Sequence, residues 1–497
     1  MRISFRTKGD IELDKLYDVI IIGSGVVGNA IAREMSRYNL KIGVLEKELD
    51  VCNETSARNS GVLHAGFNNK PGTLMAKFCV EGNQGFDQVA DELGVPFKRC
   101  GKLVVGFNEE DKQKLIAMKE QGEKNGVKGL EIIGKDKIKE IEPNIDGEFA
   151  MWSKTTGILN PFLLTIALAE NAAENGVEYY FANEVIDINR IDEIYNIKTV
   201  KDTYKARWVV NAAGLYSDKI SKMIGIDDYT IHPCRGEYFI LDEKVGSKLS
   251  LPAYPVPNPK EGGLGIHLTP TIDGNVFIGP SSEYIEERDD YSATQKIMDL
   301  LIKDGGRIFP HIKREDFIRN FAGIRPKLAS KEEGGYHDFV IEMRDEVPNT
   351  INLVGIESPG LTSSTPIAKY VVSLLKQKEK LTENENFNPI RKPIVTFVDK
   401  SIEEKEALIK ENPDYGEVIC RCQTITKAEI IEAINNPLGV ETLTGIKYRC
   451  RAMMGRCQGG YCETRIAGLL EEVKHKNRED VIYSREGSNM FVGKVRE

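Results

Sequence analysis

The glycine pattern GSGVVG at residues 23–28 limits the fold more than any other feature of the sequence. It follows YDVIII, a β-branched apolar run that predicts a buried parallel strand, and it precedes a helical pattern. In such a unit Gly23 permits the tight turn, Gly25 lets the backbone approach a pyrophosphate, and Gly28 allows close helix–strand packing. Glu46 ends the next strand-like run, where a carboxylate can accept from ribose hydroxyls. The unit predicts a nucleotide-binding sheet; a tight turn in an ordinary sheet is the alternative.

The rest of the chain indicates how this sheet is interrupted. The runs WVVNAAG and INLVGIES predict further buried strands, whereas RGEYFIL and GNVFIG alternate and predict an antiparallel sheet. The predicted fold class is α/β, a Rossmann-like sheet with an inserted antiparallel-sheet (α+β) domain and a small helical C-terminal module. The predicted parts are the nucleotide-binding segments at about 15–90, 151–225 and 321–378, the inserted segments at about 91–150 and 226–320, a charged linker at 379–415, and the module at 416–480.

Composition and charge exclude several classes of protein. A chain of 497 residues is too long for one compact core, and its net charge of −9 argues against binding to nucleic acid. No run of about eighteen apolar residues predicts a membrane-spanning helix, although peripheral association with a membrane stays open. The first residues lack the apolar core of a secretory signal, so we expect a cytoplasmic protein.

Four of the nine cysteines are clustered near the C-terminal end, as C-x-C and C-x₄-C: Cys420, Cys422, Cys457 and Cys462. In a chain without a secretory signal, such a cluster predicts a metal site. Four thiolates suit zinc or an iron–sulfur centre, and the C-x-C spacing is a poor match to zinc sites. Cys450 is expected to be a buried non-ligand. Four cations precede the second pair and are expected to raise the potential of an anionic cluster: Lys447, Arg449, Arg451 and Arg456.

Three segments carry a resemblance to a known family. TSARNSGVLHAG, WVVNAAGLYSDKI and INLVGIESPGLTSS resemble segments of the D-amino-acid-oxidase-like flavoproteins. More narrowly, they resemble L-2-hydroxyglutarate dehydrogenases and the large subunit of anaerobic glycerol-3-phosphate dehydrogenase, over most of residues 15–375. The resemblance implies FAD. It also implies these FAD-binding residues: Gly23, Gly25, Gly28, Glu46, Thr55, Ser56, Arg58, Asn59, Ser60, Val185, Gly214, Gly360, Leu361 and Thr362.

The C-terminal module carries a second resemblance. ICRCQTITKAEIIEAI and GRCQGGYC resemble the bacterioferritin-associated-ferredoxin-like module, which implies a [2Fe–2S] cluster on the four clustered cysteines.

The resemblance also implies catalytic residues. His64 and His267 match histidines near the flavin ring, and a neutral histidine can take a hydroxyl proton as hydride leaves. A packed or surface histidine is the alternative for each. Arg325 matches the family's substrate-anion arginine, whose fork suits carboxylate or phosphate. Weaker candidates are Lys327, Tyr254 and Arg235.

Together these features predict an FAD-dependent dehydrogenase of a small anionic secondary alcohol, either glycerol-3-phosphate or an L-2-hydroxy acid such as L-2-hydroxyglutarate. Electrons are expected to pass through the cluster to a protein acceptor, a partner subunit or a quinone. Asn68 stands where the glycerol-3-phosphate enzymes have an arginine, which leaves the substrate open. The alternatives are a dehydrogenase of amines or imino acids, such as proline, hydroxyproline or sarcosine, and a non-catalytic electron-transfer subunit.

Overall fold

The computed structural model describes residues 16–257 and 264–493. The strands, in chain order, are β1 (Leu16–Ile22), β2 (Ile42–Leu45), β3 (Val62–Leu63), β4 (Phe97–Lys98), β5 (Lys102–Gly106), β6 (Leu130–Gly134), β7 (Phe149–Ser153), β8 (Gly157–Leu159), β9 (Glu178–Tyr180), β10 (Val185–Ile191), β11 (Ile194–Thr199), β12 (Thr203–Asn211), β13 (His232–Leu241), β14 (Ala253–Pro255), β15 (His267–Pro270), β16 (Val276–Gly279), β17 (Glu283–Tyr284), β18 (Phe317–Lys327), β19 (Val340–Arg344), β20 (Val347–Val354), β21 (Val418–Cys420) and β22 (Ile425–Thr426). The α-helices are α1 (Val26–Met35), α2 (Leu74–Leu93), α3 (Glu109–Lys124), α4 (Lys135–Ile141), α5 (Pro161–Glu174), α6 (Ser217–Met223), α7 (Gln295–Ile308), α8 (Gly360–Leu375), α9 (Ile402–Glu411), α10 (Lys427–Ile434), α11 (Leu443–Cys450) and α12 (Glu463–Lys474).

Strand β1 lies inside an eight-stranded sheet because its side chains are apolar on both faces. It pairs in parallel with β2 and β12, and the parallel set continues to β9 and β20. The antiparallel strands β10, β11 and β19 extend this sheet. The carboxyl ends of the parallel strands therefore meet at one edge, which is where open α/β sheets bind ligands. The predicted Rossmann-like fold is confirmed.

Four helices, α1, α2, α5 and α8, cover one face of this sheet. The apolar residues Ile31 and Met35 of α1 follow the i, i+4 spacing of a helix and are fully buried. They join one apolar cluster with Leu168 of α5, Ile367 of α8 and Ile21 of β1. Burial of this helical face fixes the start of α1 against the glycine turn.

The inserted domain is a nine-stranded sheet in the order β17-β13-β16-β15-β14-β5-β7-β6, with β18 paired to β13. All its pairs are antiparallel except β14 with β5. The β13–β18 ladder sets Cys234 opposite Arg325, and the β15–β16 ladder sets His267 opposite Gly279. These two ladders position the candidate catalytic side chains.

Residues 418–474 form a module with the β21–β22 hairpin and helices α10, α11 and α12. Its apolar core includes Ile430, Ile446, Ile466 and Leu470, one or more from each helix. The module thus carries a core of its own.

A buried ion network joins this module to the large sheet. Arg449 of α11 donates to both carboxylate oxygens of Asp50, at 2.6 and 3.0 Å, and to Glu170 at 3.2 Å. Beside it, the rings of Phe162 and Tyr448 stack with centroids 4.4 Å apart and planes inclined by 3°. The cation predicted at Arg449 therefore serves the interface.

The segment predicted as a linker, 379–415, is an ordered strap in the structure. Its backbone hydrogen-bonds to the domain of the large sheet, as when Asn384 N–H donates to Arg37 O and Arg391 N–H donates to Glu92 O. The Arg391 guanidinium is buried and donates to Glu170 at 2.6 Å. Helix α9 follows within the strap. The polar composition of the segment favours a linker, but its backbone and a few of its polar side chains, such as Arg391, bind the neighbouring domain.

Throughout residues 16–257 and 264–493, no helix has the length and apolar character needed to cross a bilayer.

Candidate active site and cysteine cluster

The glycine turn after β1 leaves no room for side chains at two positions. Gly23 has φ of +104°, and a Cβ there would lie 2.6 Å from Ala212 O. A Cβ at Gly28 would lie 2.0 Å from Gly23 O. Gly25 caps α1, whose first N–H, that of Val26, donates to the Ser56 hydroxyl at 2.9 Å. The turn thus presents a helix N-terminus to the cleft, as anion binding requires.

A cavity of about 150 Å³ lies beside this turn, with Glu46 at its wall. The Glu46 carboxylate accepts from Ser24 N–H at 2.8 Å and from Glu48 N–H at 2.9 Å. Burial raises the pKa of Glu46, opposed by these two hydrogen bonds. The predicted residues lining this cavity are Gly23, Gly25, Glu46, Thr55, Ser56, Val185 and Gly214.

A second cavity of about 190 Å³ continues from the first toward the inserted sheet. The two share Gly25, Thr55, Ser56 and Gly214, so they form one elongated cleft. The second cavity is also lined by these predicted residues: Arg58, Asn59, Ser60, His64, His267, Arg325, Gly360 and Leu361.

Two predicted cofactor residues do not line the cleft. Gly28 packs against the glycine turn itself. Thr362 supports the cleft from behind, because its hydroxyl accepts the His64 N–H at 3.0 Å.

The cleft suits FAD in shape and in its polar groups. A nucleotide turn and an acidic residue line one end, and the start of α8 lines the other. Within the cleft, His267 Nε2 and Arg58 Nε are buried and have no hydrogen-bond partner among the described residues. Because buried polar atoms are normally paired, these two indicate a ligand.

His267 has a defined tautomer. Its Nδ1 lies 2.9 Å from Gly265 O, and only a protonated Nδ1 can donate to that carbonyl. The unpartnered Nε2 therefore carries a lone pair. Tyr254 stacks on the His267 ring with centroids 3.6 Å apart and so fixes its plane. Burial lowers the pKa of His267 well below its usual value, which keeps the ring neutral.

His64 lines the same cleft on the opposite domain, after β3. Burial, with a smaller contribution from Lys102, lowers the pKa of His64 to about 3. Both candidate histidines are therefore neutral at neutral pH.

Sequence reasoning missed Lys102, the first residue of β5. Its side chain is fully buried, its Nζ has no described hydrogen-bond partner, and it lies 3.4 Å from the Tyr254 ring centroid. Burial lowers the pKa of Lys102 to about 7. The available signal was a lysine at the start of an otherwise apolar strand, KLVVG.

Arg325 lies in the cleft on β18. Its Nη2 donates to Ser281 O at 2.8 Å and its Nε to Cys234 O at 3.4 Å. No described residue accepts from its Nη1, which leaves that group for an anion. The weaker candidates are engaged elsewhere: Lys327 forms a buried pair with Glu357 at 3.2 Å, and Arg235 pairs with Glu283 at 2.7 Å.

An outer cavity of about 420 Å³ adjoins the cleft at His64. Asn68 and Asn69 line it together with Lys70 and His337. Its acid, Asp338, has both carboxylate oxygens occupied by the first N–H groups of α2, at 2.8 Å each. The mouth of the site is thus polar with little free negative charge.

The four clustered cysteines come together in the C-terminal module. Sγ–Sγ distances are 4.0 Å for Cys420–Cys422 and 3.7 Å for Cys422–Cys457, and Cys462 hydrogen-bonds with Cys420. In the described part of the chain no three metal-ligating side chains converge on a single ion. A two-iron cluster makes a different demand, because its four thiolates are shared between two irons.

The fifth cysteine of the module, Cys450, is buried and donates to Ile446 O at 3.3 Å.

The cations near the cysteines are mostly used at the interface. Besides Arg449, Arg451 pairs with Asp273, and Arg456 pairs with Asp242 at 3.1 Å. These acids lie on the inserted domain and are distant in sequence from the cysteines. An effect of the arginines on the potential of the cluster stays a prediction.

Two protein families match the parts of the chain that form the cleft and the cysteine cluster. The model of the FAD dependent oxidoreductase family matches residues 18–374, the part that forms the cleft. The chain belongs to the FAD dependent oxidoreductase family. The BFD-like [2Fe–2S] binding domain matches residues 418–472 and includes all four clustered cysteines. The chain is thus an FAD-dependent dehydrogenase with a [2Fe–2S] domain. The domain match identifies the group held by the four cysteines as an iron–sulfur cluster and not as zinc.

One curated relative extends the match over nearly the whole chain. A glycerol 3-phosphate dehydrogenase of Caloramator mitchellensis is 41% identical and covers 96% of this chain and 98% of its own length. The human mitochondrial L-2-hydroxyglutarate dehydrogenase is 31% identical over 73% of this chain and 90% of its own. Among solved structures, the dithionite-reduced, FAD-bound L-alpha-glycerophosphate oxidase from Mycoplasma pneumoniae has a TM-score of 0.70 and 29% identity, covering 76% of this chain and 98% of that chain.

Proposed function

We propose that the protein oxidises the secondary alcohol of glycerol-3-phosphate and delivers the electrons, through its cluster, to a protein or quinone acceptor. One observation carries the proposal. The similarity to the Caloramator mitchellensis glycerol 3-phosphate dehydrogenase covers 96% of this chain, so it spans the cysteine module as well as the FAD region.

The cleft residues divide the chemistry as follows. When bound, FAD supplies a two-electron hydride acceptor and the [2Fe–2S] cluster a one-electron carrier. His267 accepts the hydroxyl proton at its bare Nε2. Arg325 binds the anionic group through its unused Nη1. His64 is the second candidate for the base.

An L-2-hydroxy acid such as L-2-hydroxyglutarate is the second candidate substrate. The outer cavity favours it, because Asn68 and Asn69 offer amides beside a single lysine, Lys70, whereas a phosphate would be better served by additional cations. The similarity to L-2-hydroxyglutarate dehydrogenases supports the same choice.

The test is anaerobic bleaching of the flavin absorbance by a panel of substrates. We expect glycerol-3-phosphate to reduce the flavin fastest, with L-2-hydroxyglutarate second. The panel includes D-2-hydroxyglutarate as a stereochemical control, and proline, hydroxyproline and sarcosine for amine chemistry. Bleaching by the imino acids alone would replace this proposal. No bleaching by any member would favour an electron-transfer role.

A further inference from the structure

The cysteine cluster has one edge open to solvent. Cys420 and Cys462 are buried, at 0% and 1% exposure, whereas Cys422 and Cys457 are exposed. An electron carrier can pass electrons only to a partner that approaches it closely, so the side with Cys422 and Cys457, called the exit below, is the one that an external acceptor can reach.

Arginines border this exit. Arg421 and Arg465 are exposed and lie on the Tyr461 ring, with guanidinium-to-centroid distances of 4.3 and 4.6 Å. Arg456, next to Cys457, has 70% of its side chain exposed although it pairs with Asp242. Between residues 454 and 465 the sole acid is Glu463, which is half-buried, and residues 418–428 contain none. From the inserted domain, Glu243 accepts from Gln423, next to Cys422, at 2.8 Å. This exposed cationic patch stands on a chain of net charge −9.

We propose that Arg421, Arg456 and Arg465 form the docking surface for an acidic electron-acceptor protein that takes electrons at the Cys422–Cys457 edge. This inference rests on the proposed function, because it names the acceptor of that reaction. Complementary charge around a redox edge steers association and weakens with salt. A protein with carboxylates around its own redox centre has the matching surface.

The test uses holoenzyme reduced with dithionite, so it does not depend on the substrate. The probes are cytochrome c with succinylated lysines, which is anionic, and unmodified cytochrome c, which is cationic and carries the same haem. We expect the anionic probe to bind and to be reduced about 10-fold or more faster at low ionic strength, with the advantage lost at high salt. Complex formation is measured separately by sedimentation with oxidised protein.

Charge reversal provides the specific test. The triple variant Arg421→Glu, Arg456→Glu, Arg465→Glu is expected to lose binding of the anionic probe while its iron content is unchanged. The matched control, Lys124→Glu, Lys128→Glu, Lys198→Glu, changes net charge equally at exposed sites on other elements. Equal effects of the two triples would overturn the proposal. If the triple variant loses binding to anionic lipid vesicles but still binds the anionic protein probe, the arginines serve a lipid surface. That result would also overturn the proposal. If substrate bleaches the flavin but the triple variant binds the anionic probe as the wild type does, the docking surface is rejected and the proposed reaction is kept.

A second inference concerns Lys102, on independent evidence. The Tyr254 ring has the His267 ring stacked at 3.6 Å and Lys102 Nζ at 3.4 Å from its centroid. The imidazole and the ammonium cannot both lie against the same face of the Tyr254 ring. Lys102, Tyr254 and His267 therefore form a column of ammonium, phenol and imidazole. Phe67, with its centroid 5.1 Å from Nζ, closes another side.

Within residues 16–257 and 264–493, no carboxylate pairs with Lys102. The titratable groups acting on it or affected by it are Cys79 on α2, His64 after β3, and His267 on β15, besides the Tyr254 phenol. Each histidine is disfavoured as a cation by a charged Lys102. The state of this one amine therefore influences both candidate bases.

We infer that Lys102 is a positioning residue whose charge, acting across Tyr254, controls how readily His267 accepts the substrate proton. With Lys102 charged, a proton on His267 Nε2 is disfavoured; with Lys102 neutral, the proton is accepted more easily. The proton passes from the substrate hydroxyl to His267, and Lys102 itself forms no bond.

Three enzymes test this. In the wild type, flavin reduction should accelerate as pH rises through about 7, where Lys102 titrates. Lys102→Met should be fast and lose this inflection, whereas Lys102→Arg should be slow at every pH. An unchanged inflection in Lys102→Met would overturn the inference.

Stability gives a readout that does not depend on activity. The pKa of Lys102 is lowered from 10.5 to about 7 in the folded state, so the unfolded chain binds more protons between these values. Folding stability from this group therefore falls as pH drops from about 10 to 7. Lys102→Met should raise the denaturation midpoint relative to wild type, and the increase should be largest at pH 6. A midpoint for Lys102→Met below that of the wild type at pH 6 would contradict a buried amine without a compensating partner.

Discussion

The FAD cleft draws its walls from residues spread over 23–361, whereas the cysteine cluster takes all four sulfurs from residues 420–462. The cleft exists only after two sheets have formed and met, because Glu46 belongs to one and His267 to the other. The cluster residues lie on one hairpin, one loop and one helix start of a module with its own core. The difference teaches that local spacing can identify a cluster, while a cleft requires the whole fold.

The largest expected effect is on FAD. Gly25→Val should abolish FAD binding while two irons per chain remain, because a side chain there blocks approach of a pyrophosphate and would crowd Ser56 Oγ, 3.2 Å from the Cβ. Absorbance and iron analysis measure both. Gly85→Ala, where a Cβ meets nothing within 4 Å, is the control. Stoichiometric FAD in Gly25→Val would show that the nucleotide lies elsewhere.

The reverse experiment is Cys457→Ser. We expect loss of the iron absorbance with FAD and substrate-driven flavin bleaching intact, because the module has a separate core. Cys450→Ser changes a buried thiol that donates to Ile446 O, and it should keep the iron. Concomitant loss of FAD in Cys457→Ser would mean that the two regions fold as one.

Within the cleft, His267→Gln should lower the rate of flavin reduction by about 10²–10⁴-fold without displacing FAD, because the proton acceptor is removed. Stopped-flow absorbance measures this rate, and the exposed His311→Gln serves as control. If His64→Gln shows the loss and His267→Gln does not, the base is His64.

The interface between the two regions should be sensitive to Arg449→Met. This change leaves Asp50 and Glu170 buried with less compensation, and we expect a loss of about 3–5 kcal/mol in stability. Denaturation followed by iron absorbance would report it. Arg478→Met, which breaks an exposed pair with Glu471, should cost far less, because solvent screens an exposed ion pair. Equal losses would argue that the interface contributes little.

The smallest effect is expected at the anion site. Arg325→Ala should mainly raise KM for an anionic substrate, by the equivalent of about 2–4 kcal/mol, because it removes a desolvated charge pair. Substrate dependence of flavin reduction gives this value, with exposed Arg314→Ala as control. A fall in the limiting rate at unchanged KM would place Arg325 in the chemistry instead of the binding.

Some site residues could be read from sequence because their neighbours in the chain dictate their role. Gly23, Gly25 and Gly28 follow from one turn, and Cys420 and Cys422 from one hairpin. Lys102 could not be read in this way. Its partners are Tyr254 and His267, which are brought beside it by the β14–β5 and β14–β15 ladders. Nothing within its own strand signals that pairing.

The sequence by itself determined the glycine turn, the parallel strands and the cysteine spacing, because these depend on backbone freedom, apolar burial and ligand chemistry within short segments. Only the tertiary structure decided what the charged groups do. It brings Arg449 to Asp50, Arg451 to Asp273 and the strap at 379–415 against α2 and the end of α1. An arginine finds its partner through space, since electrostatic energy depends on distance and burial and not on separation along the chain.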